Sequence, residues 1–220
     1  MAMGLDWQPL GKPKPGHEAE FEELFTALFI DQVRDRVKRD RLSAIEISPY
    51  ETLGIPRVGF DPAADRWAAE RYSKRSWKKL FVSRQEFMRA CHGSYVMELL
   101  PLPPPDGVPH YTNGGADSYC EVFTFRGKFL EFCEDVLGQE LLAEAWASHS
   151  AADLMEYGTK LRDRAVAYAE KEGVSGILPL RDPPDGLDVE EPAGQAHIVI
   201  SAARWCAFWS EGGHGMIADF

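Results

Sequence analysis

Long apolar runs are missing from this chain. None of its 220 residues falls in a stretch approaching the roughly eighteen consecutive apolar positions that a bilayer-spanning helix needs. The opening segment, MAMGLDWQPLGKPKPG, lacks the apolar centre of a signal peptide, so export is not expected. Positive charge is also scarce. With 24 basic against 35 acidic residues, the chain carries a formal charge of −11 and a pI near 5.0. That balance argues against general binding to nucleic acid or to anionic membranes. Four cysteines (Cys91, Cys120, Cys133, Cys206) lie far apart with no CxxC pair, which excludes a dense disulfide framework and points to reduced, buried thiols.

Recognisable catalytic patterns are absent as well. The six histidines, at 17, 92, 110, 149, 197 and 214, show no HxH, HxxxH or HExxH spacing, so no metal site is expected. No GxGxxG, GxxxxGK[ST] or GxSxG occurs, and no cofactor is expected. The expectation is a soluble, acidic, cytoplasmic protein whose catalytic residues, if it has any, the sequence does not name.

What is present is 45% hydrophobic and 11% aromatic, enough for a substantial core. The densest stretch runs from His110 to Trp146. Asn113-Gly114-Gly115 is a turn signal, because Asn and Gly tolerate positive φ. Tyr119, Cys120, Val122, Phe123 and Phe125 then read as a strand over 118–125, paired with 108–112 across the turn. From Phe129 to Trp146 apolar residues recur at helical spacing, with an interruption at Gly138. Arg126 stands at the strand-to-helix junction, where free backbone N–H groups attract anions. His110, Tyr111, Asn113, Asp117 and Arg126 therefore form a candidate ligand pocket.

Elsewhere the spacing predicts helices over 17–39, 61–73, 84–92 and 150–173. Ser83-x-x-Glu86 is a capping box, and Ser150 precedes Asp153 in a similar start signal. Strands are expected at 44–47, 95–100, 174–180, 197–201 and 216–220, with a further helix over 202–211. Residues 1–16 read as an extended arm on the surface, and 101–109 and 181–194 as surface loops. The fold class expected is α+β: a single globular domain over 1–220, with a mixed or antiparallel sheet of about five strands packed against five to seven helices.

One segment departs from the acidic background. Between Arg71 and Arg84 there are six bases and no acid, interleaved with aromatics. Lys74, Arg75, Trp77, Lys78, Lys79 and Phe81 are thus candidates for binding a partner, either an acidic protein or a small anionic ligand. The functional expectation is a non-enzymatic binding, interaction or regulatory module. The competing expectation is a small hydrolase or transferase with a site assembled from residues 110–133 and His214.

Overall fold

The computed structural model describes residues 4–73, 83–100, 108 and 119–220. They divide into two compact units, one built from 1–49 and 103–220 and the other from 50–102.

Two long helices organise the larger unit. Helix α7 (Ala151–Lys171) and helix α8 (Pro192–Glu211) pack antiparallel, with Gly158 against Cys206 near one end and Tyr168 against Gln195 near the other. Helix α7 is amphipathic, burying Leu154, Tyr157, Leu161, Ala165 and Ala169, and Ser150 caps its start. Helix α8 is buried on nearly every side: Ala196, His197, Ile198, Val199, Ile200, Ser201 and Ala202 are consecutive and all inaccessible. Helix α6 (Glu134–Glu144) follows a 3₁₀ segment, Gly127–Cys133, and is kinked at Gly138, whose φ of 70° suits glycine.

Strand β1 (Asp6–Pro9) pairs antiparallel with β4 (Met216–Asp219), in the register Trp7 opposite Ala218. Single bridges extend this ribbon, Trp7 to Phe125 on one edge and Met216 to His149 on the other. At the centre, the Trp7 indole lies 4.8 Å from the Phe125 ring and 6.0 Å from Trp205, and its Nε1 donates to Ala145 O at 2.8 Å. A two-residue pairing joins β2 (Lys12–Pro13) to β3 (Glu46–Ile47). Above it, α1 (Glu18–Phe25) continues as a π-helix, Thr26–Ile30, and α2 (Arg36–Ile45) returns, enclosing Leu10, Phe21, Phe25, Leu28, Leu42 and Ile45.

The smaller unit begins within the short helix α3 (Pro49–Thr52) and contains α4 (Pro62–Ser73) and α5 (Arg84–Cys91) around Val58, Ala64, Ala68, Phe87 and Val96. The Ser83–Glu86 capping box forms as the sequence predicts.

The expected five-strand sheet is not found among the described residues, and the α+β class is corrected to a mostly helical fold carrying two small two-stranded sheets. The run 197–201, read as a strand, lies inside α8. A short, β-branched apolar run looks the same whether it is a central strand or one turn of a helix buried all round. Residues 95–100 and 174–180 form turns and 3₁₀ segments, and 118–125 holds only isolated bridges among its described positions. Helix 17–39 also breaks, at the π-segment and the loop that follows it. Residues 4–16 are not a surface arm along their length: Leu5, Trp7 and Leu10 are buried.

The α7–α8 contact is close enough to test. A Cβ on Gly158 would meet Cys206 Cβ at 2.6 Å, whereas one on Gly176 would meet nothing within 4 Å. Gly158→Ala should therefore lose about 1–3 kcal/mol in urea unfolding, and Gly176→Ala should leave the midpoint essentially unchanged. Equal midpoints for the two variants would mean the helices separate without cost.

Candidate functional site

Of the residues marked from sequence, His110, Tyr111, Asn113 and Asp117 lie outside the described residues, as do Lys74, Arg75, Trp77, Lys78, Lys79 and Phe81. Arg126 precedes the 3₁₀ segment rather than joining a strand to a helix, with Nη1 3.9 Å from Asp6 Oδ1. The junction amides Lys128 N and Phe129 N are taken up by Leu5 O and Arg126 O.

The buried titratable groups are held in structural hydrogen bonds. His214, from the other sequence expectation, is inaccessible; its Nδ1 donates to Leu10 O at 2.8 Å and its ring stands edge-on to Trp209. Burial pushes its imidazole down to about 4, helped by the Lys12 charge and opposed by the Leu10 bond. Cys133 is pushed by burial up to about 12, and Cys206 well above the usual thiol range. Such thiols are protonated near neutrality and are not the thiolates that nucleophilic catalysis needs.

A small cavity of about 20 Å³, room for one water, is lined by Tyr119, Cys120, Arg181, Asp182, Pro183, His197 and Ser201. His197 Nε2 faces Leu180 O at 3.3 Å, and its Nδ1 is bonded to the Tyr119 hydroxyl. A carbonyl can only accept, so Nε2 carries the proton and Nδ1 accepts from Tyr119 O–H. Burial raises the Tyr119 phenol and lowers the His197 imidazole, so both stay neutral. Both ring nitrogens are thereby committed. Ser201 lies one helical turn after His197 on α8, and its hydroxyl has no hydrogen bond among the described residues.

The second site is an open groove of about 450 Å³ lined by Leu28, Phe29, Ile30, Gln32, Arg34, Arg39, Trp146, Ala147, Ser148, Ala218 and Phe220. Trp146 and Phe220 meet edge-on at 5.3 Å on its wall. Both are exposed, at 38% and 55%, and Ile30 at 52%. Local structure here is unusual. The π-helix closes through Asp31 N donating to Thr26 O, and Gln32 adopts φ 54°, the positive-φ position among described non-glycine residues. Asp35 then caps α2 by accepting from Val37 N and Lys38 N. That cap sets Arg34 just ahead of the helix and Arg39 one turn into it. Among the described residues neither arginine is within ion-pair distance of a carboxylate, whereas Arg36 is paired with Asp40 and Arg41 with Glu20.

Sequence reading missed this groove, although a signal was there. Residues 34–41 hold five bases and two acids in an acidic chain. The interleaved Asp35 and Asp40 hid it, and one is spent on a cap and the other on a neighbour. The aromatic wall comes from residues 146 and 220, which no local pattern connects to 34–41.

Among the described residues no three His, Cys, Asp or Glu side chains converge as metal ligands, and no helix is long and apolar enough to cross a membrane. Comparison with family models, with curated proteins and with solved structures finds no match to the chain in any of the three.

The buried imidazoles give a pH prediction. Both His197 and His214 have folded-state pKa values below the unfolded value near 6.5. Between those limits the unfolded chain binds protons that the folded chain refuses, so their contribution is full above about 6.5 and is lost as pH falls. His214→Asn, whose amide can donate to Leu10 O without titrating, should flatten this dependence. Between pH 7 and 4.5 the wild type should lose about 2–3 kcal/mol more unfolding free energy than the variant. Parallel curves would show that His214 is protonated in the fold.

Proposed function

We propose that this chain is a non-enzymatic binding module that engages a protein partner through the groove between the π-helix, the start of α2 and the Trp146–Phe220 wall. The observation that carries this reading is the placing of cations. The first turn of α2 holds no acid, and Arg36, Lys38 and Arg39 sit at the positive end of the helix dipole. Cations there oppose stability by a few tenths of a kcal/mol each. Arg34 and Arg39, outside ion-pair distance of a carboxylate among the described residues and set beside exposed aromatics and a non-glycine residue at positive φ, support a ligand at this groove. An exposed apolar patch rimmed by charge is the usual form of a docking surface.

A second reading, a small hydrolase or transferase, draws on the cavity at Tyr119. There the Ser201 hydroxyl stands one turn from His197. Its difficulty is geometric, because His197 has no free nitrogen with which to take a proton from serine.

Native mass spectrometry of protein purified gently from its own cells separates the two readings. The binding reading expects a stoichiometric protein partner that is retained by the wild type and lost from an Arg34→Glu, Arg39→Glu double variant whose Tm is not lowered. A small molecule retained or converted instead, with the effect abolished by Ser201→Ala, would overturn it in favour of the enzyme.

A further inference from the structure

Resting on that binding reading, we infer that the groove's occupant is an acidic peptide segment of the partner, carrying a bulky apolar side chain. The apolar residue seats against Trp146, Phe220 and Ile30, and flanking carboxylates pair with Arg34 and Arg39.

Three observations choose this ligand chemistry. Among the described residues the groove mixes an apolar wall with two guanidiniums outside ion-pair distance of any carboxylate, and no carboxylate side chain lines it. A guanidinium presents a planar fork that matches a carboxylate with two parallel hydrogen bonds. The apolar wall is itself broad, with Trp146, Phe220 and Ile30 all exposed. A small anion would leave that wall uncovered, whereas a peptide carrying an apolar side chain would cover it. Nucleic acid is the weaker match: the chain's −11 charge repels a long polyanion, while a short acidic segment feels mainly the local basic patch within a Debye length of about 8–10 Å.

The free cations also define the energetics. Exposed pairs contribute little each, so the apolar anchor carries most of the affinity and the arginines set selectivity and salt dependence.

The test is a random twelve-residue peptide display selection on the full chain, followed by fluorescence anisotropy of the enriched peptides against three proteins: wild type, Arg34→Glu/Arg39→Glu, and Trp146→Ser. The expected result is enrichment of peptides rich in Asp and Glu around a Phe, Trp or Leu. Their binding should weaken at least tenfold in each variant and fall as salt rises from 50 to 300 mM. The arginine variant should keep the wild-type Tm, since both arginine side chains are exposed, so its loss of binding is read apart from folding. Peptides without acidic bias that still lose affinity in Trp146→Ser would overturn the acidic-segment inference and leave the binding module standing. Peptides that bind all three proteins equally would move the site off this groove and overturn it too. Failure to enrich any peptide would count against both the inference and the binding reading.

Discussion

Trp7 is the side chain on which the larger unit depends. Its indole sits among Phe125, Tyr157 and Trp205, and its N–H satisfies Ala145 O at the end of α6. Its backbone N–H and C=O both bond to Phe125, at 2.7 and 3.2 Å, while β4 pairs on its other edge. One residue thus ties together an early strand, the 119–133 segment, the α6 terminus and the α7–α8 pair. A buried tryptophan contributes a large apolar area, and its polar N–H must find a partner, which fixes orientation as well as burial.

Around that anchor the polar interior is arranged to stay neutral. His197 lies between a phenol and a carbonyl, His214 donates to a carbonyl beside an indole, and the Cys133 thiol is held near Phe129 O and Gln195 O. Each group exchanges water for a main-chain or side-chain partner, as a buried polar group must. Titratable groups used this way contribute to structure.

Legibility in the sequence followed the range of the forces involved. Caps and stops that act over a few residues were readable: Ser83, Ser150 and Gly138 all do what their local chemistry implies. Helices with one solvated face, such as α4, α5 and α7, were equally clear from periodicity. Helix α8 was not, because surrounding it with other elements removes the polar face that marks a helix. The runs 95–100 and 174–180, read as strands on their own apolar residues, form turns and 3₁₀ segments. The groove was invisible for a related reason, since its wall and its cations are separated by more than a hundred residues of chain. Arg126, named from sequence at a strand-to-helix junction, instead precedes a 3₁₀ segment and lies near Asp6.

The pairing of β1 with β4 has a consequence for how the chain is made. Leu10 and His214, bonded to each other, are 204 positions apart. A ribosome makes Trp7 long before the strand that pairs beside it. Until that strand is made the larger unit cannot close, and the indole can find only partial company in whatever helices have emerged. Contacts so distant in sequence make for late, slow closure. They also leave apolar surface open to other nascent chains, so the same ribbon that locks the finished molecule makes its synthesis the most aggregation-exposed period of its life.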